Sequence, residues 1–297
     1  MRMLSLASIG AVEGLQTCDS LIKDWTFTPS TPWLGATPHR LNASLRRRRP
    51  PPNHDVVRAP RLRPRWIMYF MYLPDGAVSS AHRFTLERLR RLDAGLLVVC
   101  ALPDGTEVPA EILDHADAVV TKGLGGYDFS AYALGLRQIV EHSPGCDLFV
   151  MNDSVFGPFC DLAGDMADPA WDLTGYTAYS LIENHIQSYA FIMKKVDETT
   201  ERALRPVLPL NYAYQGYKDV VFQQETRLAR VASRRMTVGA KWYSNHAWSS
   251  EPSFFCALPL IAQGFPFLKK SLLHKRSDVY SRNQIAALLE DLGHPRP

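Results

Sequence analysis

The sequence lacks the features that mark membrane-spanning, disulfide-stabilised and zinc-binding proteins. No apolar run approaches the roughly twenty residues that a membrane-spanning helix requires. The cysteines are scattered and include no C-x-x-C pair, and there are five of them: Cys18, Cys100, Cys146, Cys160 and Cys256. This pattern argues against a disulfide framework and against a zinc site. We therefore expect a protein of the reducing cytoplasm, whose contact with any membrane would be peripheral.

The chain also carries little net charge and no visible internal repeat. A formal net charge of +3 over 297 residues is too small to indicate nucleic-acid binding by itself. Apolar residues make up 46% of the chain and charged residues 21%, as in ordinary globular proteins. The length is sufficient for one large α/β domain or two small ones.

Positive charge is concentrated in one proline-rich segment. Four arginines at residues 46–49 are followed by three prolines at residues 50–52, and four more arginines lie between residues 58 and 65. Such a segment is most often a solvated linker, and contact with a polyanion or a membrane surface is the less frequent alternative.

Residues 1–64 show no sustained hydrophobic period, and the sequence therefore predicts an N-terminal extension that is partly disordered. Trp25, Phe27 and Trp33 could nevertheless dock onto the main domain. That domain is predicted to span residues 65–297.

Buried strands and amphipathic helices alternate from residue 66 onward. Apolar runs of strand length predict buried strands at residues 66–73, 96–101, 118–121 and 148–151. Apolar residues at helical spacing predict helices at residues 81–92 and 129–141. This alternation predicts a doubly wound, mostly parallel sheet.

After residue 158 the pattern becomes mixed. Residues 176–180 and 187–193 are predicted as strands with one exposed side, and residues 220–236 and 266–273 as helices. The order is similar to that of the GT-A glycosyltransferase fold, an α/β fold in which a nucleotide-binding half precedes a mixed, acceptor-binding half. Layout alone is weak evidence of function.

The most informative segment is the apolar run that ends in Asn152, Asp153 and Ser154. A short run of this kind, followed by Gly157 and Pro158, is typical of a buried parallel strand. Polar residues at the carboxyl end of such a strand stand where open α/β sheets bind ligands. The alternative is an ordinary turn, because Asn, Asp and Ser are common turn residues.

Six short motifs follow one another along the chain. They are GGYDFSAY with GL at residues 125–136, MNDSVFGP at 151–158, WDLTG at 171–175, HIQSY at 185–189, E-x-x-L at 225–228 and PFLKK at 266–270. In their residues and in their order they resemble the motifs of the rhamnan synthesis protein F family, glycosyltransferases of bacterial surface polysaccharides. The resemblance runs from about residue 69 to residue 273 and leaves out the N-terminal extension.

The resemblance implies a hexosyltransferase that moves a sugar, such as rhamnose or another deoxyhexose, from a nucleotide diphosphate donor. The acceptor would be a polysaccharide or a lipid-linked glycan, and the anomeric centre would invert. The arginines of residues 46–65 could then rest on the anionic inner face of the membrane. The main alternative is a catalytically silent protein of the same fold that binds a glycan or a nucleotide sugar. Nucleic acid is not an expected partner, because the basic segment lies outside the predicted domain.

The first two motifs are expected to bind the donor. A glycine-rich loop that opens a helix can present backbone N–H groups to phosphate. A side chain just before the helix, here that of Asp128, can alternatively cap it. The residues expected to contact the donor are Gly126, Tyr127, Asp128, Asn152, Asp153 and Ser154.

The sequence leaves open whether the protein requires a metal ion. GT-A enzymes usually carry Asp-x-Asp where this chain has Asn-Asp-Ser, so Asp153 is the one carboxylate there. It could hold Mg²⁺ or Mn²⁺ that also binds the substrate phosphates, and His246 could be a late metal ligand. Without a metal, cationic side chains would have to stabilise the diphosphate, with Lys269, Lys270 and Arg137 as candidates.

Glu225 is the predicted general base, because the resemblance places it where a carboxylate takes the proton from the acceptor hydroxyl. The alternative is an exposed helical glutamate paired with Arg227 or Arg230. His185 and Gln187, two residues apart on a predicted strand, would share a face and, with Lys269, contact the sugar or the acceptor. A buried core histidine is the alternative for His185.

Overall fold

The computed structural model describes residues 21–244, 251–274 and 280–296. Their strands are β1 (Ile22–Thr26), β2 (Arg48–Arg49), β3 (His54–Arg58), β4 (Arg65–Tyr72), β5 (Gly95–Ala101), β6 (Ala118–Lys122), β7 (Cys146–Asn152), β8 (Val155–Phe156), β9 (Leu173–Ser180), β10 (Asn184–Ile186), β11 (Ala190–Val196), β12 (Ala213–Tyr214), β13 (Val238–Ser244) and β14 (Leu268–Lys269).

The helices of these residues are α1 (Ala36–Arg46), α2 (Ser80–Arg90), α3 (Ala110–His115), α4 (Tyr127–His142), α5 (Ala163–Ala167), α6 (Glu198–Leu204), α7 (Tyr217–Val220), α8 (Thr226–Ala232), α9 (Pro252–Phe255), α10 (Ala257–Ala262) and α11 (Arg282–Asp291). A π-helical turn, Val221–Glu225, joins α7 to α8, and a 3₁₀ turn, Lys270–Leu273, follows β14. None of the described helices is both long and apolar enough to cross a bilayer.

One mixed sheet of ten strands organises the molecule, in the order β1-β13-β9-β11-β7-β4-β5-β6-β3, with β10 paired to β9. Neighbouring strands from β7 through β4 and β5 to β6 are parallel. Strand β11 joins β7 and β9 in antiparallel fashion, and β13 is parallel to β9. The predicted α/β architecture, a parallel doubly wound half followed by a mixed half, is confirmed.

The parallel strands are apolar throughout because helices cover both of their faces. In β4, Trp66 and Met68 point into one core with α4 and α8, while Ile67 and Tyr69 point into a second core with α2 and α3. Every residue of β5 is buried. This explains why unbroken apolar runs, rather than alternating ones, marked these strands in the sequence.

Strand β9 differs from its prediction as a strand with one exposed side. It lies between β13 and β11, and Leu173 through Ala178 are buried. The next predicted strand begins later than expected, because Ala190 is its first paired residue and residues 187–189 form a turn. Strands β9 and β11 are mostly buried on both faces, so alternation was a poor guide there.

Residues 21–64 are integrated into the sheet, which differs from the predicted division at residue 64. Strand β1 pairs with β13 and β3 pairs with β6, so these two strands form the two ends of the described sheet. Trp25 stacks on Tyr243 with a centroid separation of 4.2 Å. Trp33, by contrast, is 60% exposed. Residues 1–20 of the predicted extension lie outside the described residues.

The helix predicted at residues 266–273 is wrong. Leu268 and Lys269 form β14, which pairs with Phe156 and Val155 of β8, and only a 3₁₀ turn follows. Phe267 and Leu268 are both buried, in different cores. Pairing with the segment after Asn152 therefore overrides the proline start signal. The helix predicted at residues 220–236 begins at the last residue of α7, continues through the π-helical turn and ends with α8 at Ala232.

Candidate active site

A cavity of about 650 Å³ opens at the carboxyl ends of the parallel strands. From β4 the chain winds through β5 to β6 and then returns to place β7 on the other side of β4. This reversal leaves a crevice between the ends of β4 and β7, which is where open α/β sheets bind their ligands. Tyr72 at the end of β4 and Asn152 at the end of β7 both line the cavity. The placement of the Asn-Asp-Ser segment at a ligand-sized cavity favours the ligand-site interpretation over an ordinary turn.

Asp153 is fixed at this crevice by two donors. Its Oδ2 accepts a hydrogen bond from the backbone N–H of Tyr72 at 2.9 Å and another from Nε2 of His82 at 3.1 Å. His82 is buried, and its Nδ1 accepts from the backbone N–H of Ser79 at the start of α2. Because Nδ1 accepts a hydrogen bond, Nε2 is the ring nitrogen that donates to Asp153. One carboxylate oxygen of Asp153 is held in this way, while Oδ1 has no hydrogen-bond partner among the described residues.

Asn152 connects the end of β7 to the start of α4. Its Nδ2 donates to Oδ2 of Asp128 at 2.8 Å. Its Oδ1 accepts from the backbone N–H and the hydroxyl of Ser154, at 3.0 and 2.6 Å. The amide of Asn152 is thus used fully inside the protein, and its role in this arrangement is to orient Asp128 and Ser154.

Asp128 is the most perturbed carboxyl group of the cavity. Burial, with a smaller contribution from the nearby negative charge of Glu225, raises its pKa from 3.8 to about 6, while the hydrogen bond from Asn152 acts in the opposite direction. The N-cap of α4 is Gly126 and Asp128 lies inside the first turn, so the alternative that Asp128 caps the helix does not hold. Its Oδ1 accepts from the N–H of the next residue, Phe129, at 3.0 Å.

Hydrogen bonds to two side chains hold the glycine-rich loop before α4 in place. Nζ of the buried Lys122 donates to the carbonyls of Gly123 and Gly125 at 2.9 and 2.7 Å. Gln215 accepts from the N–H of Gly126, whose φ of 84° favours glycine. Burial lowers the pKa of Lys122 to about 8. The loop is therefore a fixed wall of the cavity.

Glu225 ends the π-helical turn and lines the same cavity. Its Oε1 accepts from the backbone N–H and the hydroxyl of Ser188, at 3.3 and 3.1 Å. Arg227 bonds to Gln223 and Arg230 to Glu183, so neither arginine pairs with Glu225 as the alternative interpretation required. The second carboxylate oxygen of Glu225, Oε2, has no hydrogen-bond partner among the described residues.

A third group of polar side chains completes the cavity. Gln187 donates to Oε1 of Glu251 at 2.5 Å, and Nζ of Lys269 lies 3.6 Å from the same oxygen. The ammonium of Lys269 also lies 4.4 Å from the ring centroid of Tyr189. Lys269 is thus a cation at the cavity wall, held between a carboxylate and an aromatic face.

Two other predicted residues lie away from the cavity. His185 is buried, its Nδ1 bonds to the carbonyl of Glu183, and its ring packs on Tyr179. Strand β10 ends at Ile186, so the alternation expected between His185 and Gln187 is broken. Arg137 pairs with Glu141 and Glu201 on the outer side of α4. The prediction that these two residues contact the substrate is therefore wrong.

Lys270 lies beside the cavity, under β8. Its Nζ is 5.6 Å from the ring centroid of Phe156, and burial lowers its pKa, while the charge of Asp153 acts in the opposite direction. His246 lies outside the described residues.

Sequence reasoning missed His82, Glu251 and Tyr217, all of which belong to this site. The only local signal for His82 was its position three residues after Ser79, in the capping box of α2. Tyr217 is 68% exposed and faces Tyr127 at the cavity mouth, with ring centroids 6.5 Å apart. Glu251 and Tyr217 reach the cavity through long-range packing, so no spacing in the sequence could have identified them.

The donor set fits a divalent cation only in part. No group of three His, Cys, Asp or Glu side chains able to hold a metal ion occurs within residues 21–244, 251–274 and 280–296. Four carboxylates nevertheless line the cavity, those of Asp128, Asp153, Glu225 and Glu251. The residues therefore fit a cation that arrives with a diphosphate and takes one protein ligand, Oδ1 of Asp153, better than a resident metal.

Comparison with known proteins identifies one family. The model of the family described as rhamnan synthesis protein F matches residues 98–294. Two curated relatives, both named virulence protein VirA and both from Vibrio anguillarum (one from strain ATCC 68554 / 775), are 32% identical over 126 residues. That match spans 40% of this chain and 40% of the length of each relative.

Two solved structures show a weaker similarity. A protein from Desulfovibrio desulfuricans G20, described as a nucleotide-diphospho-sugar transferase, aligns with 78% of this chain and 97% of its own, at a TM-score of 0.38 and 11% identity. S. aureus TarS aligns with 78% of this chain and 43% of its own, at a TM-score of 0.37 and 12% identity. TM-scores below 0.5 support no conclusion about fold or function.

Proposed function

The chain belongs to the rhamnan synthesis protein F family, and on that premise we propose that it is a glycosyltransferase. The substrate would be a nucleotide diphosphate sugar, and the acceptor a hydroxyl of a polysaccharide or a lipid-linked glycan. One observation carries the proposal. The Asn152–Ser154 turn and Glu225, which come from motifs about seventy residues apart, line one cavity. That cavity lies where the strand order of the sheet reverses.

The diphosphate of the donor is proposed to lie between Asp153 and Lys269. The side-chain ammonium of Lys269 would attract the charge that develops on the leaving phosphate. A cation bound to the diphosphate would lower its repulsion from the four carboxylates, and Oδ1 of Asp153 is the free oxygen that would contact it. His82 keeps Asp153 in place, so the position of this oxygen is set before the donor binds.

Glu225 is proposed to act as the general base. The acceptor oxygen forms a bond to the anomeric carbon as the bond from that carbon to the phosphate oxygen breaks, and Glu225 takes the acceptor proton. Ser188 holds Oε1, so Oε2 is the atom that would receive it. A single displacement of this kind inverts the anomeric centre. A deoxyhexose such as rhamnose, carried by dTDP, is the proposed sugar, because the family is described by rhamnan synthesis.

The arginines between residues 46 and 65 are proposed to rest on the cytoplasmic face of the membrane, where lipid-linked acceptors lie.

A thermal-shift screen of nucleotide sugars tests the donor. Each of a dTDP-deoxyhexose, a UDP-hexose and a GDP-hexose is added with Mn²⁺ or with a chelator. A donor at about one hundred times its Kd stabilises the fold by about 2.7 kcal/mol, which raises Tm by roughly 4 °C in a chain of this size. Asp153→Asn should reduce the shift, whereas Asp93→Asn, an exposed aspartate before β5, should leave it unchanged.

The result separates the enzyme from the catalytically silent alternative. If a nucleotide sugar raises Tm and the protein then releases the nucleoside diphosphate, the proposal stands. Binding without any release in the presence of acceptor glycans would support the silent alternative. No shift with any nucleotide sugar would contradict both.

A further inference from the structure

Helix α1 has its polar and apolar sides reversed relative to an ordinary surface helix. Its inward side carries Arg40 and Ser44 beside the small residues Ala36 and Ala43, which are fully buried. Arg40 donates to the carbonyl of Phe222 at 2.8 Å and to the hydroxyl of Thr226 at 3.0 Å, and it also pairs with Glu183. Polar contacts, rather than a leucine stripe, therefore attach this helix to the protein.

The outward side of α1 is apolar. Leu41 and Leu45 are 62% and 74% exposed, and Leu34, in the turn that leads into the helix, is 88% exposed. A spacing of four residues puts Leu41 and Leu45 on one side of the helix, and Leu34 lies in the turn before it. Trp33, 60% exposed, adjoins them. A surface helix normally turns such a stripe towards the core, and an exposed cluster of large apolar side chains marks an interaction surface.

Positive charge lies at the end of the same helix. Arg46 ends α1, and Arg48 and Arg49 follow it in β2. None of these three arginines has a carboxylate partner among the described residues: Arg48 lies over the ring of Tyr212, and Arg49 bonds to backbone carbonyls. No Asp or Glu occurs between residues 25 and 54. The leucine stripe is therefore bordered by uncompensated positive charge.

We infer that this surface, formed by Trp33, Leu34, Leu41, Leu45, Arg46 and Arg49, docks α1 in the plane of an anionic lipid membrane. An in-plane helix of this kind inserts its apolar side at the boundary of headgroups and acyl chains, and cations beside it attract anionic headgroups. Exposed leucines next to arginines, in a stretch of the sequence without Asp or Glu from residue 25 to residue 54, match that chemistry better than they match a protein surface of mixed charge. The inference rests on the membrane contact proposed above for the arginines between residues 46 and 65 and extends it to the leucines of α1, but it does not depend on the proposed enzymatic activity.

The position of α1 gives such docking a consequence. The helix packs directly on the π-helical turn that ends in Glu225, through the bond from Arg40 to Phe222 and the bond from Gln223 to Ser44 at 3.1 Å. The membrane surface would thus lie behind the turn that forms one wall of the cavity. A lipid-attached substrate would then need to extend only past this turn to reach the cavity.

Sedimentation of the full-length protein with vesicles tests the inference, without any nucleotide sugar. Vesicles of phosphatidylcholine with 40% phosphatidylglycerol should bind the protein, and binding to pure phosphatidylcholine should be much weaker. The double variant Leu41→Gln with Leu45→Gln should lower the partition coefficient by about a hundredfold, since each inserted leucine contributes about tenfold. Arg46→Gln with Arg49→Gln should lower it by about fivefold per arginine and remove much of the salt dependence.

Leu62→Gln is the matched control. Leu62 is 77% exposed and lies between Arg61 and Arg63, but it has no neighbouring leucine stripe. Its variant should bind as the unchanged protein does, and all variants should keep the same Tm because the changed side chains are exposed. An equal loss in Leu62→Gln, or no loss in the α1 double variant, overturns the inference. So does a concentration-dependent dimer that the α1 variant abolishes, because a second copy would then be the occupant.

Discussion

Two walls of the cavity differ in how their polar side chains are held. The strand-end wall consists of Tyr72, Asp128, Asn152, Asp153 and Ser154, and the C-terminal wall of Gln187, Ser188, Glu225, Glu251 and Lys269. In the strand-end wall, Asp153 has two donors on one oxygen, and Asn152 uses both ends of its amide. In the C-terminal wall, Glu225 is held by a single residue, Ser188.

The difference has a physical consequence for the proposed chemistry. A strand-end wall whose side chains are oriented by hydrogen bonds from several elements, with Oδ1 of Asp153 left unpartnered among the described residues, offers a preorganised place for the diphosphate, which requires fixed positions. A base that is bound through one oxygen only keeps the other oxygen for the acceptor proton. The strand-end wall should therefore govern donor affinity, and the C-terminal wall the rate of transfer.

The largest expected effect follows removal of the proposed base. Glu225→Gln keeps the shape and the bonds from Ser188 but cannot accept a proton, so we expect the kcat of sugar transfer to fall by about 10²–10⁴. Donor affinity should change by less than about threefold. Release of the nucleoside diphosphate, with donor affinity by calorimetry, checks both values. Glu87→Gln, an exposed glutamate of α2, is the control. A variant with unchanged kcat would exclude Glu225 as the base.

A pH titration probes the electrostatic link between the walls. The pKa of Asp128 is about 6 in the folded protein and near 3.8 otherwise, so between pH 4 and 6 the folded state binds more protons than the unfolded state. The free energy of unfolding should therefore fall as the pH rises through this window, by up to about 2–3 kcal/mol. Asp128→Asn should remove that fall, whereas Asp114→Asn, exposed in α3, should not.

Glu225→Gln sharpens this test. Because the charge of Glu225 contributes to the raised pKa of Asp128, the variant should move the titration of Asp128 to lower pH, which carboxyl carbon NMR would detect. An unchanged titration would mean that the two walls are electrostatically independent.

The two walls also differ in how far the sequence could predict them. The strand-end wall follows from local pattern: an apolar run buried on both faces ends in Asn152, and a glycine-rich loop begins α4. The C-terminal wall depends on packing between distant segments, as with Glu251 beside Gln187 and Lys269. The edge strands β1 and β3 escaped prediction for a related reason, since four residues of β1 and all five of β3 are exposed and carry no apolar run.

A glycine substitution tests the rigidity of the strand-end wall. At Gly126, with φ of 84°, an added Cβ would lie 2.6 Å from the hydroxyl oxygen of Ser130, whereas at Gly145, with φ of 83°, it would meet nothing within 4 Å. Gly145→Ala should cost about 1 kcal/mol of stability from its backbone conformation alone, and Gly126→Ala about 2 kcal/mol. Chemical denaturation measures both. Equal losses of stability in the two variants would show that the loop shifts without cost to accommodate the added Cβ.

The smallest expected effect concerns the bond between His82 and Asp153. His82→Leu removes the N–H that orients Asp153, so we expect donor affinity to fall about tenfold, as for loss of one hydrogen bond to a charged group. Ser79→Ala is the matched control, because Ser79 accepts from the backbone N–H of His82 and its loss weakens the start of α2 without touching Nε2. Both variants should lose stability, but only His82→Leu should lose donor affinity, and neither should reproduce the loss of kcat in Glu225→Gln. If Ser79→Ala lowers the affinity for the sugar donor by the same factor, then the integrity of α2, rather than the orientation of Asp153, supports the strand-end wall.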